Sequence, residues 1–460
     1  MSTSREVLWW DASGIDGVAT RAALEIDASF DVVIIGAGYT GLWSAYYLAT
    51  LAPSLKIAVL ESEFVGFGAS GRNGGWLAAS VPGSLSLYEK HGGRSAVIEL
   101  VKAMIATVDE VLHVTEELEI DIDAIKSGCI RIATSAAQAA RLKADVAVEQ
   151  MLEVGSQGWR MESVPEISER IKIPNVVAGA YTPDCARINP AKLVIGLAHA
   201  VEKLGVKIYE KSPAEKYGVG YVDTAHHRLR AKSIIRATEG FTCRLPKQTR
   251  RWLPMNSSMI ATEPLSPEIW REIGWDHAET LSDYAHAYTY VQRTIDGRIA
   301  IGGRGNPYAY ANSFDALGNT SEETIASLKL ALHRFFPATQ AVAIPFAWSG
   351  VLAVPRDWCA GVSYDKTSGL GWAGGYTGQG VAASNLAGRT IADLVLLRST
   401  AITALPWIDR KNRNWEPEPF RWLGVQAIYG AYRRADRIES NRSSSGSALL
   451  ARFADIFSGR

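Results

Sequence analysis

The sequence predicts an α/β fold, α+β overall, in which two domains are interleaved along the chain. The chain has 460 residues, a length that predicts roughly two or three domains sharing a large core. Near the N-terminus a run of strand formers, a glycine-rich turn and a helical pattern follow one another, as in parallel βαβ units. Residues 288–303 have the pattern of an antiparallel hairpin around Asp296-Gly297, a favoured two-residue turn, which indicates a second sheet.

Composition and charge argue against several functional classes. The chain carries 48 basic and 48 acidic side chains, so a general electrostatic attraction to nucleic acid or to an anionic membrane is not expected. The four cysteines are far apart and form no CxxC pair, and the eight histidines show no metal-binding spacing. We therefore expect no metal site and a reducing, cytoplasmic location.

The segment 32–55 contains no charged residue and is long enough to cross a membrane. Glycines interrupt it, however, so a buried strand, a turn and a helix are the preferred interpretation. The first thirty residues lack the basic flank and apolar stretch of a signal peptide. Neither a membrane span nor secretion is expected.

The first motif is the glycine turn itself. The strand at 31–35 ends in Gly36, Gly38 and Gly41, after which apolar residues recur at helical spacing. Gly36 permits a tight turn, Gly38 lets the backbone approach a pyrophosphate, and Gly41 lets the helix pack closely on the strand. A second strand closes on Glu61, whose carboxylate can accept hydrogen bonds from an adenosine ribose and would repel a 2′-phosphate. These parts predict dinucleotide binding but do not separate NAD from FAD.

The second motif is the loop at 65–76, which packs five glycines into twelve positions. Ser70, Arg72 and Asn73 place hydrogen-bond donors in this loop, just before Gly74 and Gly75. Such a loop is typical of backbone that lies close to a large flat ligand. The alternative is a flexible surface loop, but the flanking aromatic residues favour a buried position.

A third glycine-rich stretch, GGYTGQG at 374–380, opens another helical pattern. With these three blocks, the sequence resembles the FAD-dependent D-amino-acid oxidase superfamily, in particular its glycine oxidase, sarcosine oxidase and gamma-glutamylputrescine oxidase-like members. The resemblance covers most of residues 30–397, and the second block is its most specific part.

The resemblance implies a Rossmann-like FAD-binding domain interleaved with a substrate domain built on a mainly antiparallel sheet. Its segments suggest these boundaries: 1–84, 166–245 and 341–400 for the FAD-binding domain, 85–165 and 246–340 for the substrate domain, and 401–460 for a C-terminal extension. We expect noncovalent FAD, because no cysteine falls in a motif used for covalent attachment.

The resemblance also implies which residues contact FAD: Gly36, Gly38, Gly41, Glu61, Ser70, Arg72, Asn73, Gly74, Gly75, Gly375, Thr377, Gly378, Gln379 and Gly380. A helix N-terminus at the third block would stabilise negative charge on the reduced flavin. Family members often have Gly-Tyr-Ser-Gly-His-Gly there, whereas this chain has Thr377 and Gln379. Gln379 is the catalytic candidate of this block, and it can hydrogen-bond but cannot carry a proton.

An arginine is the expected substrate anchor. In glycine oxidase-like members the strand before the hairpin turn carries an arginine that can hold the substrate carboxylate, and Arg293 matches that position. A guanidinium suits the task because its planar fork pairs with a carboxylate through two hydrogen bonds. Arg304 is the second candidate, and a solvated strand-end arginine is the alternative interpretation of Arg293.

The implied function is oxidation of a small amine or amino acid. Hydride leaves the C–H next to a neutral amino nitrogen for flavin N5, and water hydrolyses the resulting imine. Reoxidation by O2 would then give H2O2. The alternatives are a flavin monooxygenase that needs a nicotinamide reductant, an amine dehydrogenase with another acceptor, and a flavin-binding protein without catalysis. The substrate, the acceptor and the oligomeric state are left open.

Overall fold

The computed structural model describes residues 7–440, apart from positions 12, 14, 16–19, 153, 155–157, 304 and 306, and also residues 448, 450, 451 and 454. In chain order the first half forms α1 (Leu8–Asp11), β1 (Ala28–Ile35), α2 (Tyr39–Leu51), β2 (Ile57–Leu60), β3 (Trp76–Ala78), α3 (Leu85–Gly92), α4 (Arg94–Glu117), β4 (Cys129–Ala133), α5 (Ala136–Gln150), β5 (Arg160–Glu162), α6 (Val164–Arg170), β6 (Ala178–Thr182), β7 (Cys185–Arg187), α7 (Pro190–Lys203), β8 (Lys207–Tyr209), β9 (Lys216–Gly218), β10 (Tyr221–Asp223) and β11 (Arg228–Arg236). The second half forms β12 (Leu253–Ala261), α8 (Pro267–Ile273), β13 (Thr280–Asp283), β14 (Tyr290–Arg293), β15 (Ile299–Gly303), α9 (Glu322–Phe335), β16 (Phe346–Val354), β17 (Gly361–Asp365), β18 (Leu370–Gly374), α10 (Gly380–Val395) and α11 (Phe420–Ser440).

The first sheet is mainly parallel, with the strand order β17–β18–β11–β1–β2–β8 and with β10 and β9 attached to β11. β1 has parallel neighbours on both sides, β2 and β11. Val33 and Ile35 of β1 pack into the core on one face of the sheet, and Val32 and Ile34 pack into the core on the other. Burial on both faces explains why this strand is an uninterrupted apolar run.

The uncharged segment 32–55 contains most of β1, the glycine turn and the whole of α2. α2 packs against α7 and α10 beside the first sheet. Across the described part of the chain, no helix is both long and apolar enough to span a membrane.

The second sheet has the strand order β16–β12–β15–β14–β13–β4–β6–β5. All its neighbouring strands are antiparallel except β13 and β4, which run parallel. One face is covered by α6, α8 and α9 and contains Ile130, Ile132 and Val291. Because side chains alternate along a strand, the residues next to these three on their own strands face the opposite side of the sheet, where the cavity described below lies.

The hairpin between β14 and β15 is present, but its connection differs from the predicted two-residue turn. The Thr294 N–H donates to the Arg298 carbonyl at 3.0 Å, so three residues, 295–297, form the loop. Gly297 has φ +75°, the left-handed conformation that ends a three-residue hairpin loop. A glycine at this position serves either turn, which is why the dipeptide alone did not fix the length.

The sheets alternate along the chain more often than the expected domain boundaries indicate. β6 lies within 166–245 and β16 within 341–400, yet both pair in the second sheet. Conversely, α4 lies within 85–165 but packs against α10 in the core of the first sheet. The two sheets are therefore joined by several chain crossings.

Candidate active site

The glycine turn leaves no space for side chains. Gly36 has φ +107°, and a Cβ on Gly41 would lie 2.0 Å from the Gly36 carbonyl oxygen. α2 begins at Tyr39, directly after Gly38. Ser70 Oγ accepts a hydrogen bond from the Tyr39 N–H at 2.9 Å, so the second glycine block touches the start of this helix.

Glu61 follows β2 and fastens the turn. Its Oε2 accepts a hydrogen bond from the Ala37 N–H at 2.9 Å, and its Oε1 accepts from the Glu63 N–H at 3.0 Å and from the Ser62 hydroxyl at 3.1 Å. Burial raises the pKa of Glu61, and these hydrogen bonds oppose the rise. The carboxylate thus shapes the glycine turn, in addition to the ribose contact predicted for it.

The second block is held in place through its carbonyls. Gln292 Nε2 donates to the carbonyl oxygens of Gly74 and Gly75, both at 2.9 Å. Trp9 Nε1 donates to the Asn73 carbonyl at 2.8 Å, and the Asn73 side chain accepts from the Gly75 N–H at 2.8 Å. Asn73 therefore shapes the loop. The sequence analysis missed Gln292, which its place on a strand of the expected substrate domain could have indicated.

Arg72 is 4% exposed and has donors to spare. Its Nη1 donates to the carbonyls of Ser349 and Ala316, both at 3.2 Å, and its guanidinium lies over the rings of Trp10 and Phe67. Among the described residues, Nε and Nη2 find no hydrogen-bond partner. Burial lowers the pKa of Arg72 to about 10. Buried unpaired donors of this kind indicate a ligand that supplies acceptors.

The third block is anchored by Glu239, a residue that the sequence analysis also missed. Its carboxylate accepts hydrogen bonds from the N–H groups of Gly375 at 2.8 Å, Ala353 at 3.0 Å and Tyr376 at 3.3 Å. Burial raises the pKa of Glu239 to about 7, against the effect of these hydrogen bonds. Its place just after β11 was the available signal, because ligands of α/β sheets bind at the carboxyl ends of parallel strands.

Within the third block, side chains take different directions. The Thr377 hydroxyl donates to the Tyr376 carbonyl at 2.7 Å, inside its own loop. Gln379 precedes α10, is exposed, and lines the cavity together with Gly378. Gln379 is thus the side chain of this block that reaches the cavity.

A cavity of about 1320 Å³ adjoins the second and third blocks. We call its part at the glycine blocks the loop end, which is lined by Ala69, Arg72, Asn73, Gly74, Gly378 and Gln379. The wall continues through Trp76, whose ring lies edge-on to Tyr290 at 6.2 Å. The hydroxyls of Tyr290 and Ser257 are hydrogen-bonded at 2.9 Å.

We call the opposite part of the cavity the charged end, which is lined by Arg131, Asp145, Glu149, Trp159 and Tyr284. These residues come from β4, from α5 and from the segments that follow β13 and precede β5. The sequence analysis assigned none of them, because they are dispersed and form no motif.

α11 holds the segment 284–288 at the charged end. Asp436 accepts hydrogen bonds from two successive backbone N–H groups, of His286 at 2.9 Å and of the next residue at 3.1 Å. Glu439 accepts from Arg141 at 2.7 Å and lies 3.1 Å from His286 Nε2. Arg141 also donates to the Tyr284 carbonyl at 3.1 Å, so the helix fixes this part of the wall.

Arg293 lies on the other face of the second sheet. Side chains alternate along β14, so Gln292 faces the glycine loop and Arg293 faces away from it. Its guanidinium lies 4.0 Å from the Trp270 ring centroid and donates to the Trp275 carbonyl. The structure thus does not bring Arg293 to the cavity. The expected role would need a side chain on the same face of β14 as Gln292. Arg304 lies outside the described residues.

Comparison with known proteins gives the family. The sequence profile described as DAO, FAD dependent oxidoreductase, matches residues 31–394. The chain belongs to this family. This DAO-family chain is 28% identical over 382 residues to the probable oxidoreductase OrdL of Haemophilus influenzae, covering 80% of this chain and 83% of that protein. It is also 28% identical over 370 residues to gamma-glutamylputrescine oxidoreductase of Escherichia coli, covering 79% and 83%.

Solved structures of similar fold support the predicted architecture of the DAO-family chain. Glycine oxidase from Geobacillus kaustophilus superposes with a TM-score of 0.70 at 20% identity, covering 84% of this chain and all of that one, 100%. L-proline dehydrogenase from P. horikoshii gives a TM-score of 0.66 at 16% identity, covering 83% and 98%. The parallel Rossmann-like sheet and the mainly antiparallel second sheet are thus confirmed.

The loop end fits the FAD that this family uses. The glycine turn offers backbone without side chains at the start of α2, where a pyrophosphate is bound most favourably. The Nε and Nη2 of Arg72, which have no partner in the part of the chain that the structure describes, can donate to the cofactor, and α10 begins directly after Gly378 and Gln379. These residues, together with Glu61, would hold FAD along the glycine blocks.

Proposed function

We propose that this FAD-dependent oxidoreductase oxidises the C–N bond of a small amine or amino acid to an imine. The observation that supports it is the continuity of the cavity, which leads from the glycine blocks into a chamber beside Trp76, Ser257 and Tyr290. When bound at the loop end, the flavin accepts a hydride from the carbon next to the amine nitrogen. O2 is the proposed final acceptor, giving H2O2.

The residues of the loop end position the amine without taking its proton. None of the described residues at the loop end or in its adjoining wall is an aspartate, a glutamate or a histidine. The amine reacts in its neutral form, because its lone pair forms the C=N bond. The hydrogen-bonded hydroxyls of Ser257 and Tyr290 can orient the nitrogen, and the Trp76 ring excludes water from that side.

Similar proteins suggest which amines to test. Among them are gamma-glutamylputrescine oxidoreductase, glycine oxidase, the beta subunit of sarcosine oxidase and dimethylglycine dehydrogenase. Their names span primary, secondary and tertiary amines. A panel of glycine, sarcosine, dimethylglycine and gamma-glutamylputrescine therefore covers the chemistry that this cavity could accept.

The test is anaerobic mixing of the purified yellow protein with each amine, followed by its flavin absorbance. Bleaching by an amine alone supports amine oxidation. Bleaching by a nicotinamide alone would support a monooxygenase, and no bleaching by either would leave a flavin-binding protein. Reoxidation by air with release of H2O2 would then distinguish an oxidase from a dehydrogenase that needs another acceptor.

We further propose that FAD is held noncovalently, since the four cysteines, all buried, form no disulfide and none lies in the glycine blocks. Acid precipitation should release the flavin into the supernatant. Colour that stays with the pellet would contradict this part of the proposal.

A further inference from the structure

Arg131 is the cation at the charged end whose guanidinium makes no hydrogen bond to any residue that the structure describes. Its guanidinium carbon lies 3.7 Å from the ring centroid of Trp159 and 5.9 Å from that of Tyr284. Its nearest carboxylate among the described residues is Glu149, at 3.9 Å, too long for a hydrogen bond. The contact with Trp159 restrains the guanidinium, and its N–H groups, which bind no described residue, can donate to a ligand.

Other charged side chains around this part of the cavity are already paired. Arg141 is bonded to Glu439, Arg160 donates to Glu162 at 3.1 Å, and Asp283 accepts from Arg334 at 3.1 Å. Asp184, likewise, accepts a hydrogen bond from the Gly158 N–H at 2.7 Å. Among the described residues, Arg131 and Glu149 have no charged partner closer than each other, at 3.9 Å, and Asp145 accepts a hydrogen bond from the uncharged Tyr284 hydroxyl.

Those two carboxylates, Asp145 and Glu149, lie one helical turn apart on α5. The Tyr284 hydroxyl donates to Asp145. Burial raises the pKa of Glu149; Arg131 lowers it, and Asp145 raises it further. A positive group between the two carboxylates would relieve their repulsion, just as a negative group would satisfy Arg131.

The second sheet sets the distance between Arg131 and the loop end of the cavity. Arg131 on β4 pairs with Ser282 on β13, and Ser282 pairs with Tyr290 on β14. Residues paired directly across strands share a face, so all three side chains face the cavity. Two strand spacings separate Arg131 from Tyr290, about 10 Å. Trp159 and Trp76 belong to one apolar cluster, which lines the way between the two ends.

We infer that the charged end binds the zwitterionic head of the substrate, with Arg131 on a carboxylate and Glu149 and Asp145 on an ammonium group. The substrate class is an amine whose reacting nitrogen is separated from an amino-acid head by an apolar spacer. Amino acids such as glycine, whose carboxylate adjoins the reacting carbon, are too short to reach both ends. This inference rests on the proposed function for the identity of the reacting group.

Three matched amines separate the two charges. Lysine carries both, 1,5-diaminopentane lacks the carboxylate, and 6-aminohexanoate lacks the α-ammonium group. Anaerobic flavin reduction should show the lowest apparent KM for lysine, and mass spectrometry should find the aldehyde at its side-chain end. A 2-keto acid product from lysine, or equal KM values for the three amines, would overturn the inference.

Variants assign the charges to residues. Arg131→Gln should raise the KM for lysine and 6-aminohexanoate roughly tenfold or more and leave 1,5-diaminopentane unchanged. Glu149→Gln should weaken lysine and 1,5-diaminopentane and leave 6-aminohexanoate unchanged or improved. Arg160→Gln is the matched control, since this arginine also lines the cavity but is paired with Glu162. Equal effects of a variant on all three amines would indicate a merely structural role and contradict the assignment.

A ligand without the oxidisable side-chain amine separates the two proposals. Nε-acetyllysine keeps the zwitterionic head, and calorimetry should detect its binding to the wild type but not to Arg131→Gln. If no amine reduces the flavin while this binding is present, the proposed function fails and the head site stands. If amines reduce the flavin but Nε-acetyllysine binds equally to both proteins, the head site fails and the proposed function stands.

Discussion

The loop end and the charged end of the cavity are built in different ways. At the loop end, backbone carbonyls and N–H groups of the second and third glycine blocks are fixed by side chains such as Gln292 and Glu239. At the charged end, side chains from separate elements converge, among them Arg131 and Glu149, to which we assign the substrate head. The difference teaches that cofactor binding and substrate choice can be changed separately. Variants of the first end should affect FAD, and variants of the second should leave FAD in place.

The largest effect is expected at the glycine turn. Gly41→Ala would put a Cβ 2.0 Å from the Gly36 carbonyl oxygen, so α2 could no longer pack on β1. The purified variant should contain no FAD. The ratio of its absorbance at 450 nm to that at 280 nm should therefore be about zero, whereas the wild type should show the ratio of a flavoprotein. Gly424→Ala is the control, because this exposed glycine of α11 has nothing within 4 Å of its Cβ position. Full FAD content in Gly41→Ala would show that the turn tolerates a side chain.

The next effect is the contribution of Glu239 to the pH dependence of stability. Its folded-state pKa of about 7 is higher than that of an unfolded glutamate, so the folded state binds the extra proton between about pH 4.5 and 7. This contribution to the free energy of unfolding is present in acid and is lost as the pH rises through 7, in total on the order of 3 kcal/mol.

Glu239→Gln removes the titrating group. Urea unfolding at pH 4.5 and pH 7.5 should therefore show a smaller loss of stability with rising pH in the variant than in the wild type. The difference between the two proteins cancels the other titrating groups, including Asp283, whose pKa is also raised by burial, to about 6. Identical pH slopes would mean that Glu239 titrates normally.

A smaller effect is expected for Arg72. Arg72→Lys keeps a positive charge but loses Nε and Nη2, the donors without a partner among the described residues. FAD affinity, measured by fluorescence titration of the apoprotein, should fall about tenfold, the cost of one charge-assisted hydrogen bond. Unchanged affinity would place the free donors away from the cofactor.

The smallest effect is expected from the helix that holds the charged end. Glu439→Gln weakens the contacts to Arg141 and His286 and should raise the KM of the best amine a few-fold while FAD content stays the same. Glu117→Gln is the control, since this glutamate is exposed on α4. A loss of FAD in Glu439→Gln would contradict the prediction that changes at the charged end leave cofactor binding intact.

The same difference explains how much could be predicted from the sequence. The glycine blocks and the two kinds of sheet were predictable, because tight turns and strand periodicity are local properties of the chain. Arg293 was chosen because it matches the arginine-bearing strand of glycine oxidase-like proteins, but a shift of one residue along a strand moves a side chain to the other face. No sequence motif indicated Arg131, since its partners Glu149, on α5, and Trp159, before β5, lie 18 and 28 residues further along the chain and only the fold brings them together.

The contact between α11 and the segment 284–288 has a consequence for the order of synthesis. Every residue of the loop end precedes position 395, whereas Asp436 and Glu439 lie more than forty residues later. A chain that grows from its N-terminus on the ribosome thus completes the glycine blocks first. The helix that holds the wall of the charged end is synthesised last. A translation product that stops at the end of α10 would keep every glycine block and lack α11.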